Sequence, residues 1–139
     1  MTVPASIRRI VTQRAGNRCE YCQLSQAGQE ALFHIDHIIP EMDGGLTAPE
    51  NLALACVSCS LRKGARQTQL DPVTRRLVRL YHPRRQRWTA YFRFDGFRVT
   101  GVTPTCRATV VALNLNRIVM LTIRSEEAFL GRFPPFVDD

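Results

Sequence analysis

Between two cysteine pairs lies a run of side chains able to do acid–base and metal chemistry. It reads Phe33-His34-Ile35-Asp36-His37-Ile38-Ile39-Pro40, followed by Gly44-Gly45 and Asn51-Leu52. An imidazole such as that of His37 is mostly neutral at cellular pH and can take a proton from water. A carboxylate such as Asp36 meets the preference of Mg²⁺ for hard oxygen ligands. In a regular strand His34 and Asp36 share a face at period two. His34 then reads equally well as a half-buried strand histidine or as a nitrogen ligand, which would favour Mn²⁺, Ni²⁺ or Zn²⁺ over Mg²⁺.

The flanking pairs are Cys19-Glu-Tyr-Cys22 and Cys56-Val-Ser-Cys59, thirty-three residues apart. Two-residue spacing lets both thiolates of a knuckle face one tetrahedral ion, and two knuckles complete a closed four-cysteine site. Four thiolates leave no open position for water, so zinc here is expected to be structural and to clamp the base of the module between the pairs. A disulfide or a redox CxxC is the alternative, disfavoured by two matched knuckles. The fifth cysteine, Cys106, reads as a small buried residue. An odd count argues against a purely disulfide framework.

In order, the chain presents CxxC, Asp36-His-Ile-Ile-Pro40, Gly44-Gly45, Asn51-Leu52, and CxxC followed by Ser60-Leu-Arg-Lys63. Over roughly residues 4–66 it resembles the HNH nuclease family. The tail, from Asp71-Pro-Val-Thr through Leu80-Tyr-His-Pro-Arg-Arg-Gln-Arg-Trp88, also looks like that of small stand-alone bacterial members. The resemblance implies a ββα-metal fold around one catalytic divalent ion. It implies His37 as the general base, Asp36 as a ligand of Mg²⁺ or Mn²⁺, and Asn51 as the residue that ties the loop to the strand and aims the histidine. It also implies that Lys63, and with it Arg62 and Arg66, grips the DNA backbone. The family's second protein ligand, usually Asn or His directly after the last cysteine, is Ser60 here. A hydroxyl is a weaker Mg²⁺ ligand than an amide oxygen, so either metal affinity is reduced or the site is impaired, with His34 able to compensate.

Nineteen basic residues against twelve acidic give a net charge of +7. Arg75 to Arg98 holds eight arginines and one acid, Asp95, and so accounts for all of it; the remainder balances at eleven each. A concentrated excess is the footprint of a polyanion partner, DNA or RNA. Arg84, Arg85 and Arg87 are the expected phosphate contacts, with Trp88, Phe92, Phe94 and Phe97 as core. No apolar run approaches the ~18 residues of a membrane span, and arginines interrupt the N-terminal segment before a signal sequence could form. The expected location is cytoplasmic.

Several elements must position these groups. Ser6–Ala15 has helical spacing and stops at Gly16-Asn17, and residues 23–32 read as a loop or one helical turn. Phe33–Ile39 has strand composition, Glu41–Glu50 is a loop, and Asn51–Ala55 returns as a second strand. Ser60–Arg66 suits a short basic helix. Asp71-Pro72 marks a boundary, giving a metal module over 1–70 and an extension over 71–139 packed on it as one domain. In the extension Arg76–Tyr81 alternates weakly. Tyr91–Phe94 and Phe97–Thr100 form a hairpin about Asp95-Gly96. A helix starts at Thr103-Pro104, with Ala108, Val111, Ala112 and Leu115 on one face. Ile118–Leu130 reads as a final helix, with a strand left open by its Ile-Val-Met-Leu run, and Phe133–Phe136 is extended.

The expected protein is therefore an α+β, zinc-stapled endonuclease that hydrolyses phosphodiester bonds in DNA. The alternative is an impaired HNH-fold nucleic-acid-binding protein. A third class, a protein-interaction module with architectural zinc, is disfavoured by the arginine concentration. Oligomeric state, sequence specificity and nicking versus double-strand cleavage are not legible in the residues.

Overall fold

The computed structural model describes residues 3–136. The first helix, α1 (Ala5–Arg14), buries Val11 and half-buries Ile7, then ends where Gly16 and Asn17 both take positive φ. Strands β1 (His34–His37) and β2 (Leu52–Ala55) pair antiparallel, with His34 opposite Ala55 and His37 opposite Leu52. All four residues of β2 are buried, so it forms the inner strand of the pair. Helix α2 (Val57–Lys63) follows directly, and it starts three residues earlier than the sequence predicts. The cause is its cap: Cys56 Sγ accepts the backbone N–H of Cys59, so the second knuckle is itself the first turn of the helix.

The extension holds two further hairpins. Strands β3 (Thr68–Leu70) and β4 (Leu77–Arg79) pair about the Asp71-Pro72 turn. Only β4 lies in a segment with a sequence signal, because three-residue strands with exposed ends carry little periodicity. Residues Trp88–Tyr91 form a one-turn helix, α3, whose last residue, Tyr91, is where the sequence predicts a strand to start. Trp88 Nε1 donates to the carbonyl of Tyr21, and this tertiary bond fixes the turn. The Asp95-Gly96 hairpin is present, shortened to β5 (Arg93–Asp95) and β6 (Arg98–Thr100). Helix α4 (Pro104–Ala112) is capped by Thr103 Oγ1, which accepts from Cys106 N. Ala108, Ala112 and Leu115 are buried as expected, but Val111 is exposed. Helix α5 (Ile118–Phe129) completes the order.

Among the described residues, three two-stranded sheets and five α-helices make a mixed α+β structure. One cluster of buried side chains takes in Val11, Leu52 and Leu54 together with Tyr81, Trp88, Phe92, Leu113 and Met120. Both halves of the chain therefore contribute to the same core. Trp88 and Phe92 belong to it and Phe94 packs against it, whereas Phe97 is exposed at the hairpin end, a departure from the expected core role. Cys106 is buried, its thiol directed to the carbonyl of Tyr91. Among the described residues no helix is long and apolar enough to cross a membrane.

Candidate metal centre and catalytic groove

The four paired cysteines come together. Their sulfurs lie within 4.8 Å of one another and all four residues are buried. Sulfurs bound about 2.3 Å from a tetrahedral ion stand roughly 3.8 Å apart, and Cys22 Sγ and Cys56 Sγ are separated by 3.8 Å. Each knuckle also directs the N–H of its second cysteine at the sulfur of its first, from Cys22 to Cys19 and from Cys59 to Cys56. Burial pushes the Cys19 thiol up, and contact with the other three sulfurs pushes Cys59 up while it pulls Cys56 down. Four buried thiolates need a dication to be stable together. The set is compatible with a closed zinc site.

Directly beside the cluster, β1 presents its chemistry. His34, Asp36, His37 and Ser60 line one open groove of about 740 Å³, with Pro40, Glu41 and Arg8 among its other walls. His34 Nδ1 is 3.0 Å from Ser60 Oγ. A hydrogen bond gives that separation, and so do two ligands at right angles on an ion about 2.1 Å away. Nitrogen, hydroxyl and carboxylate donors along one wall fit a divalent cation in their chemistry.

Asp36 is 7 % exposed and both its oxygens have protein partners. Tyr21 donates its hydroxyl to Oδ2 at 2.8 Å, and Lys63 Nζ lies 3.1 Å from Oδ2 and 3.4 Å from Oδ1. Burial raises the Asp36 carboxyl above its ordinary range, opposed by the Lys63 charge and the Tyr21 hydrogen bond. Tyr21, wholly buried, is pushed up by desolvation and then by the neighbouring carboxylate. His37 Nε2 is 2.9 Å from Thr47 Oγ1 and 3.5 Å from Glu41 Oε1, so the loop between β1 and β2 holds the ring.

Asn51 organises that loop. Its Oδ1 accepts from Ile39 N, and its Nδ2 donates to the carbonyls of Ile39 and Leu46. Gly45 is required beneath it: a Cβ there would overlap the Ile39 carbonyl oxygen and crowd Asn51 Nδ2. The Gly44-Gly45 and Asn51 signals in the sequence thus belong to one clamp.

The expected cationic contacts need correction. Lys63 is 2 % exposed and spends its protons on Asp36 and on the carbonyls of His37 and Ile38, so it cannot grip DNA. Arg84 is drawn inward by Glu20, whose other oxygen accepts from Leu54 N. Arg62, Arg66, Arg85 and Arg87 are exposed, but none lines the His37 groove. The arginine that does is Arg8, on α1, which also donates to the carbonyl of Phe33. The sequence signals no role for Arg8, Glu20, Tyr21, Glu41 or Thr47. Tyr21 alone had a positional hint, lying inside the first knuckle.

No curated protein and no solved structure matches the chain. A family model does match, over residues 19–66, the stretch that holds both knuckles, β1, β2, α2 and the clamp. The model is that of the HNH endonuclease family, and the gathered cysteines, with the His34–His37 strand beside them, lie within the stretch that is similar to it.

Proposed function

We propose that the chain is a metal-dependent endonuclease that hydrolyses phosphodiester bonds in DNA, built on a ββα-metal centre formed by β1, β2 and α2. The observation that carries this reading is the convergence of His34, Asp36, His37 and Ser60 on one groove next to the cysteine cluster. His37 is the general base. With its Nε2–H donated to Thr47 or Glu41, the lone pair lies on Nδ1, free to accept a proton from the attacking water. Asn51 keeps the loop closed on the strand and so keeps Thr47 and Glu41 beside the imidazole. Asp36, His34 and Ser60 are the residues that would hold a Mg²⁺ or Mn²⁺ ion. Such an ion, when bound, supplies charge stabilisation to the scissile phosphate and the leaving oxygen. Arg8 offers the substrate a positive charge at the rim of the groove.

Zinc in the cysteine cluster is structural in this reading, and a four-thiolate site suits a reducing, cytoplasmic compartment. Residues 1–70 form the metal module and 71–139 an extension packed on it as one globular unit, supported by the core they share. A specific observation favours a second reading, an impaired domain that binds nucleic acid without cutting it. Ser60 is a weak ligand, and Tyr21 and Lys63 already engage the Asp36 oxygens.

Supercoiled plasmid incubated with Mg²⁺ or Mn²⁺ separates the two readings. Nicking that requires the ion and disappears in His37→Ala is the expected result. DNA binding with no cleavage in either ion would establish the impaired domain instead.

A further inference from the structure

Next to the end of β1, lined by Ile38 and Ile39, lies a second, smaller concavity of about 160 Å³. Arg66, Arg79 and Arg85 line it, with His82 and Gln86. These come from three places: Arg66 follows α2, Arg79 ends β4, and Arg85 sits in the loop before α3. No acidic residue lines it. The nearby Asp43 is already engaged by Gln67 Nε2 at 3.0 Å. Among the described residues none of the three arginines makes an ion pair, although Arg66 shares one hydrogen bond with Gln69. All three are exposed.

Three unneutralised guanidinium groups facing one concavity repel one another unless an anion joins them. His82 lies in the same field. Burial lowers its affinity for a proton, and Arg85, Lys63 and Arg79 lower it further, with no acid among its electrostatic neighbours. The volume is below the range of drug-sized ligand sites, about 300–1,000 Å³, and suits an oxyanion. Guanidinium forks match phosphate geometry.

We propose that this groove seats a backbone phosphate of the nucleic acid, held by Arg66, Arg79 and Arg85. The inference rests on the nucleic-acid substrate of the preceding reading but not on cleavage. Ile38 and Ile39, which line it, directly follow His37, and Lys63 to Arg66 separates it from the groove lined by Gly64 and Ala65. A strand whose phosphate is held here therefore runs past the histidine, and the β3–β4 hairpin, through Arg79, becomes part of the substrate path.

The test is binding of a fluorescein-labelled DNA duplex in chelator-free buffer with no added divalent ion, read by anisotropy across a salt series. Arg79→Gln/Arg85→Gln is compared with Arg9→Gln/Arg117→Gln, which removes the same charge from positions outside the groove and outside the Arg75–Arg98 stretch. The groove seats one phosphate, and each phosphate contact contributes roughly 0.9 to the log–log salt slope, so the groove variant is expected to bind more weakly with a slope smaller by about 1. The control variant keeps the wild-type slope. Equal losses in both variants, or none in the groove variant, would overturn the proposal. Inorganic phosphate at constant ionic strength distinguishes the sources of the same chemistry: millimolar phosphate leaves the duplex bound if the site reads a polymer. Displacement down to the groove variant's behaviour would make it a free-phosphate site and overturn the assignment. Because no catalytic ion is added, a protein that never cuts DNA can still pass this test, and a protein that cuts can still fail it.

Discussion

Lys63 and Asp36 form a buried ion pair, Nζ to Oδ2 at 3.1 Å, that ties the last turn of α2 to the middle of β1. The lysine also donates to the carbonyls of His37 and Ile38, so one ammonium fixes the strand on which the catalytic candidates stand. Removing one partner of such a pair leaves the other charge buried and alone. Lys63→Met is expected to destabilise the protein by about 3–5 kcal/mol, measured by urea unfolding. Lys63→Met/Asp36→Leu should recover much of that loss, because replacing both partners with apolar groups removes the uncompensated charge. No recovery in the double variant would show that the carbonyl hydrogen bonds, not the ion pair, carry the effect.

The cysteine cluster predicts one zinc per chain. Metal analysis of purified protein should give that stoichiometry, and prolonged chelation should abolish cooperative thermal unfolding followed by circular dichroism. Protein that stays folded and active with no metal would refute a structural zinc.

Ser60 stands 3.0 Å from His34 Nδ1. Ser60→Asn supplies an amide oxygen in place of a hydroxyl and is expected to lower the Mg²⁺ concentration needed for plasmid nicking. An unchanged metal dependence would place Ser60 outside the coordination sphere.

Gly45→Ala puts a Cβ against the Ile39 carbonyl and Asn51 Nδ2. Something in the clamp must move, so His37 loses its supports on the loop. The variant is expected to lose nicking activity by an order of magnitude or more while zinc content stays at wild type. Unaltered cleavage would show that the loop clamp does not position His37.

Acid stability has an identifiable source. Arg107 holds the buried Asp71 carboxyl well below its ordinary range through two 2.8 Å contacts, helped by Thr74. The unfolded chain binds this proton more readily, so the stabilisation is complete above the unfolded carboxylate pKa of about 3.9 and is lost as pH falls below it. Asp71→Asn should therefore weaken the protein at neutral pH and flatten the decline of its stability below about pH 4. An acid limb of the same slope in both proteins, by chemical denaturation at several pH values, would contradict this.

The local residue code determined a good deal. Cysteine spacing sufficed to foresee a four-thiol cluster, because two CxxC turns constrain their sulfurs wherever they fold. Period-two alternation put His34 and Asp36 on one side of β1. The Thr103-Pro104 and Asp95-Gly96 signals set a helix start and a hairpin, since caps and tight turns depend on neighbouring backbone angles. Which cations are free was decided only by tertiary structure. Lys63 and Arg62 are adjacent in sequence, yet one is buried on Asp36 and the other exposed. Arg84 and Arg85 differ in the same way, because Glu20, sixty-four residues away, takes the first and no acid among the described residues pairs with the second. Partners that distant leave no mark in local sequence. The phosphate groove exists only because the ends of α2, β4 and the loop before α3 pack together. The charge of each arginine is written in the sequence; the place where three of them meet is a property of the packed chain.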